Sequence, residues 1–152
     1  MTQPSSPRRQ AREVLLVEDS ASDVRMVREL LRRGAVPCNL VVIGDGREAL
    51  AYLRGEGEHA GRTRPDIVLL DIKLPGLDGH AVLAEVKQDP RLRRTPVLIM
   101  SGSDEPSDIA RAYERYANCY VTKPVGHAQF ARAVQAIEEF WFGLARLPAE
   151  TP

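Results

Sequence analysis

The sequence is poor in cysteine, has no excess of either charge and contains no long apolar run. Two cysteines, Cys38 and Cys119, are too few for a disulfide framework, so both are expected as buried or half-buried thiols. Lysine and arginine number 21, aspartate and glutamate also 21, and the formal net charge is zero. That balance argues against nucleic acid and anionic membranes as main partners, since both select a clear basic excess. The apolar runs fall far short of a membrane span. The opening MTQPSSPRRQAR has no apolar segment behind its arginines, so no secretory signal is expected and a cytoplasmic location is.

What is present is a globular composition. Hydrophobic residues make up 43% and charged residues 28% of 152 positions, enough for one domain with a proper core. Residues 1–11, rich in Pro, Ser and Arg, read as a disordered tail. Residues 12–147 read as the domain and 148–152 as a short C-terminal tail. Five short apolar runs alternate with helical patterns: 13–17, 38–43, 66–70, 96–100 and 118–122. Ser20 is placed to cap the first helix and Gly34 to end it. Helices are also expected over 47–54, around Val82, Leu83 and Val86, from Pro106 to about Tyr116, and from His127 to Leu144. Residues 55–65 form a polar loop longer than most such connections. DIVLL is nearly all apolar, as a central strand buried on both faces would be. Repeated strand–helix units with right-handed crossovers predict a parallel sheet covered by helices on both faces. No output domain is expected after the last helix.

Four of the apolar runs deliver polar groups to what would be one edge of that sheet. VLLV runs into Glu18 and Asp19, DIVLL into Asp71, VLIM into Ser101, and CYVT into Lys123. In open α/β sheets, the crevice beyond the strand carboxyl ends is where ligands bind. Two like charges 4 Å apart repel by about 4 kcal/mol at an effective dielectric of 20. Three carboxylates therefore need a counter-charge, and Mg²⁺ suits a site of a few carboxylates and waters. A rigidly held, shielded Asp71 can attack a phosphoryl group. Lys123 and the Ser101 hydroxyl would then meet phosphoryl oxygens, and Gly102 would leave room and offer a backbone N–H.

LLVEDS, LLDIKLPGLDG, LIMSGS and YVTKP together resemble the signatures of two-component response-regulator receiver domains, over residues 13–142. The resemblance implies a flavodoxin-like (βα)5 three-layer α/β sandwich with parallel sheet order 2-1-3-4-5. It implies phosphorylation of Asp71 by a sensor histidine kinase, with Mg²⁺ held by Glu18, Asp19, Asp71 and the backbone carbonyl of Lys73. Ser101 matches the switch hydroxyl, Lys123 the invariant lysine, and Tyr120 the switch aromatic. The Lys123–Pro124 bond is expected to be cis. Ser103, like Lys73, sits where the family tunes the lifetime of the acyl phosphate. The chain is expected to signal by autophosphorylation and autodephosphorylation rather than to turn over an external substrate.

IEEFWF and the long loop before DIVLL resemble the single-domain receivers that partner bacterial phytochromes. These pair through the fourth helix, fifth strand and fifth helix, so a homodimer is expected. Phe130, Val134, Ile137, Trp141 and Leu144 form the apparent core stripe of the last helix. Phe142 falls off that stripe, and either packs on the chain end or belongs to an apolar patch for a partner. Arg25, Arg28 and Arg32 make the first helix either a solvated face or a kinase-docking one. His59, His80 and His127 are scattered and expected at the surface or half-buried. An alternative role is a phosphate sink or transfer intermediate in another kinase pathway. A phosphatase would need an acid where Lys73 stands. A flavodoxin-like cofactor protein would need a phosphate-cradling loop where Glu18-Asp19-Ser20 stands.

Overall fold

The computed structural model describes residues 11–148. Of the two expected tails, residues 1–10 and 149–152 lie outside the described residues. The order of elements is β1 (Arg12–Val17), α1 (Ala21–Arg33), β2 (Cys38–Ile43), α2 (Gly46–Arg54), β3 (Ile67–Leu70), α3 (Gly79–Gln88), β4 (Val97–Ser101), α4 (Pro106–Glu114), β5 (Cys119–Thr122) and α5 (His127–Ile137). A π-helical segment, Glu138–Leu144, continues α5. The five strands are all parallel in the order β2-β1-β3-β4-β5, which is the flavodoxin-like order expected from the sequence. Cys38 and Cys119 therefore begin opposite edge strands, and both thiols are free.

Strand alternation divides the core in two. Leu15, Val17, Val68 and Leu70 face α2, α3 and α4. Val14, Leu16, Ile67 and Leu69 face α1, α5 and the π-helical segment. Every residue of β3 and β4 is buried. Each large side chain there contributes about 1.5–3 kcal/mol over an exposed one. The edge strands β2 and β5 are only partly covered.

Local chemistry explains the helix starts. Ser20 caps α1 by accepting from the Asp23 N–H. Asp45 caps α2 and Asp78 caps α3. Pro106 opens α4 in its first turn. That helix ends at Glu114, two residues short of the expected Tyr116. Tyr116 instead turns the chain with φ at 68°, in the left-handed region used at helix ends. The long polar loop is ordered by a 3-10 turn at Gly57–His59 and by Arg62, which donates to the Tyr52 and Leu53 carbonyls.

Two further expectations fail in the backbone. Among the described residues no peptide bond is cis. The Lys123–Pro124 bond is trans, the isomer favoured by about 0.5–1 kcal/mol for X–Pro. The last helix also does not keep one phase to Leu144. From Glu138 the backbone bonds i→i+5, as in Ala145 N–H to Phe140 O, which takes an extra residue into the turn. The core stripe therefore runs Phe130, Val134, Ile137 and then Phe142, which is 2% exposed. Leu144 is turned out at 74% exposure and Phe140 at 51%. The C-terminal aromatics thus split: Phe142 is core, and Phe140 is surface.

Candidate functional site

The register of the central strands places the site. Val17 lies opposite Leu70, so the residues that follow, Glu18 and Asp71, leave the sheet side by side. The ladder carries on into them. Asp71 N–H donates to Val17 O at 3.0 Å, Glu18 N–H to Ile43 O at 3.1 Å and Lys123 N–H to Ser101 O at 2.7 Å. Glu18, Asp19 and Asp71 each bring a carboxylate oxygen within 4.8 Å of the others. Glu18 and Asp71 are buried, and Asp19 is exposed. Oxygen donors of this charge and spacing fit a hard divalent cation.

Lys123 balances the cluster. Its Nζ lies 2.5 Å from Glu18 Oε2, 2.9 Å from Asp23 Oδ2 and 3.3 Å from Asp71 Oδ2. Burial alone would lower the Lys123 ammonium; the bonds to Glu18 and Asp23 and the charges of Asp71 and Glu18 outweigh it and hold it above its usual range. The Glu18 carboxyl is also held above its usual range. Burial is the main cause and the Asp71 charge adds to it, so the ammonium only partly compensates. Asp71 Oδ1 accepts from Ile72 N–H at 2.7 Å, which fixes the carboxylate and turns Oδ2 toward Lys123.

The backbone behind Asp71 is closely packed. Gly79 N–H donates to Ile72 O, and a Cβ on Gly79 would meet Asp71 O at 2.1 Å. Only glycine allows α3 to start that close to the strand end.

The fourth strand supplies the hydroxyl. Ser101 is 1% exposed, and its Oγ accepts from Ser103 N–H at 3.2 Å. Gly102 is exposed, and a Cβ there would touch nothing within 4 Å, so access at that point does not depend on glycine. Lys73 is exposed in the loop after β3. The Tyr120 hydroxyl donates to Ser103 O at 2.7 Å, and burial is the main reason its phenol titrates above the usual range.

Sequence reasoning missed three participants. Asp23 is the third acidic partner of Lys123. It sits in the first turn of a helix whose cap, Ser20, was legible, and that turn opens at the same sheet edge. His80 and Asp108 were also missed. His80 is 2% exposed rather than half-buried or at the surface, and its Nε2 lies 3.3 Å from Asp108 Oδ1. Asp108 Oδ2 in turn accepts from the Ser103 hydroxyl at 2.6 Å. These bonds, Ser103 first and His80 second, hold the Asp108 carboxyl below its usual range. His59 is likewise not isolated: with Glu48 and Glu58 it forms a second, solvent-facing group of possible ligands.

Residues 14–135 match the response regulator receiver domain. The chain is 42% identical over 136 residues to the response regulator Rcp1 of Synechocystis sp., covering 90% of this chain and 92% of that protein. The crystal structure of the phosphorylated cyanobacterial phytochrome response regulator RcpA superposes with a TM-score of 0.90 at 46% identity, covering 92% of this chain and all, 100%, of that one. The Mn²⁺-bound form of Rcp1 gives 0.88 at 41% identity, covering 91% and 99%.

Proposed function

The chain belongs to the response regulator receiver domain family, and from that premise we propose that Asp71 is its phosphoacceptor, loaded by a sensor histidine kinase of the phytochrome class. The observation that carries this is the convergence of Glu18, Asp19, Asp71 and Lys123 at the carboxyl ends of three strands. The kinase class is supported by the relatives, one of them named as a phytochrome response regulator.

Asp71 Oδ2 attacks the phosphorus of the donor, and the new O–P bond forms as the bond to the donor's leaving group breaks. Ile72 N–H holds the other oxygen and so aims the attacking one. Lys123 follows the developing charge from the carboxylates to the phosphoryl oxygens, and the Ser101 hydroxyl donates to another of them. Glu18, Asp19, Asp71 and the Lys73 carbonyl would hold Mg²⁺, which would supply charge neutralisation and orientation. Tyr120 reports the change through its bond to Ser103 O.

Among the described residues the exposed large apolar side chains are Tyr113, Tyr116, Val125, Phe140 and Leu144. They lie on α4, the turn after it, the β5–α5 loop and the π-helical segment. That distribution supports pairing with a second copy through the α4–β5–α5 face. No helix among the described residues is long and apolar enough to cross a membrane. The two free thiols support work in the reducing cytoplasm.

The test is to incubate the protein with Mg²⁺ and acetyl phosphate and to weigh it intact. One phosphoryl adduct is expected, lost with chelator and in Asp71→Asn. An adduct that persists in Asp71→Asn overturns the assignment, as does no adduct at all. Solution mass with and without a phosphate mimic tests the pairing; a monomer in both states at micromolar concentration removes it.

A further inference from the structure

A buried histidine outside the phosphoacceptor cluster is wired to it. His80 stands in the first turn of α3, next to Gly79, the residue packed on the Asp71 carbonyl. Its backbone oxygen accepts from Arg115 Nη1 at 2.9 Å. Its Nε2 meets Asp108 Oδ1 at 3.3 Å, and its Nδ1 is buried with no partner. A hydrogen on Nδ1 would be a buried donor without an acceptor, so the fitting tautomer carries it on Nε2 and donates to Asp108. Asp108 is therefore held from α3, although it belongs to α4. Its second oxygen takes the Ser103 hydroxyl at 2.6 Å. Ser103 then spends its N–H on Ser101 Oγ and its carbonyl on the Tyr120 hydroxyl. The chain of bonds runs from α3, packed beside the Asp71 backbone, through Asp108 of α4 and the β4–α4 loop to Ser101.

We propose that His80 and Asp108 are positioning residues for the phosphoryl-facing hydroxyl, acting through Ser103 to set how Ser101 is presented to Asp71. Accepting from Ser103 N–H orients the Ser101 oxygen, and with it the cone on which the hydroxyl hydrogen sits. The relay fixes where that cone points before a phosphoryl group arrives, which is the kind of preorganisation that lowers a barrier. The orphaned Nδ1 gives a reason for histidine at this place. A leucine would fill the same buried volume without the unsatisfied nitrogen, but would leave Asp108 free to turn away. The inference rests on Asp71 as the phosphoacceptor.

The experiment uses the full chain with Mg²⁺ and acetyl phosphate and compares Asp108→Ala, Asp108→Asn and His80→Leu. Asparagine keeps an oxygen for the Ser103 hydroxyl; alanine does not. Asp108→Ala and His80→Leu are expected to lower the maximal phosphorylation rate about fivefold, with half-saturation for acetyl phosphate unchanged. Asp108→Asn is expected to restore part of the rate, since its one oxygen keeps the Ser103 hydroxyl while its amide nitrogen faces His80. In the unphosphorylated proteins, the Ser103 and Tyr120 amide resonances should shift and exchange faster in the first two variants and stay near wild type in the third. A uniform rise in half-saturation, equal defects in Asp108→Ala and Asp108→Asn, or unmoved Ser103 and Tyr120 amides each overturns the relay. If the wild-type chain takes no phosphoryl group, it is the Asp71 assignment that falls, while the amide measurements still decide whether His80 and Asp108 hold the loop.

Discussion

At the scale of residues, legibility followed position on the chain. Glu18, Asp19, Asp71, Ser101 and Lys123 each stand at a strand end, so the strand pattern alone put them at one edge. Asp23 was hidden because its place depends on the direction in which α1 leaves the sheet. His80 and Asp108 are 28 residues apart and meet only because α3 packs beside α4. Lys123 is the residue whose removal should be most costly. Its side chain is 13% exposed and serves three carboxylates. Stripping the partner from buried charges costs about 3–5 kcal/mol. Lys123→Ala should lose about that much stability in urea at pH 7 without divalent ions, and regain a large share in Mg²⁺. A loss below about 1 kcal/mol, or one that Mg²⁺ leaves unchanged, would show that the carboxylates do not depend on the ammonium.

At the scale of elements, strand and helix identities were readable from apolar spacing, and the boundaries came within a few residues. The tail of α5 was not, because helical periodicity assumes a fixed turn. Ile137 and Phe142 occupy consecutive core positions only once the π-helical turn admits an additional residue. Two adjacent-looking aromatics should therefore behave very differently. Phe142→Ala should cost about 3–5 kcal/mol, as for other buried phenylalanines. Phe140→Ala should cost under about 0.5 kcal/mol in the monomer. Chemical denaturation of the two variants separates them; equal losses would place both rings on the same side of the helix.

At the scale of the whole molecule, the order of the strands followed from the crossover rule together with the resemblance, and it keeps the two cysteines on opposite edges. Cys38 has a further consequence for stability. Burial, and then the Glu138 charge, push its thiol from the ordinary value of 9.0 up to about 11. The unfolded thiol ionises first, so between those values the unfolded chain has lost a proton that the folded chain retains. Folding stability should fall over that window. The advantage of wild type over Cys38→Ala in denaturant should thus shrink between pH 8 and pH 10.5. An advantage that holds constant would mean the thiol titrates normally. The sheet itself has a consequence of another kind. It separates Leu83 and its neighbours from Phe130 and its neighbours as two cores that share no side chain. Damage on one side and damage on the other should therefore sum, as independent faults do. Where a pair of substitutions taken from opposite sides departs from that sum, the departure measures how strongly the strand ends make the two halves one machine.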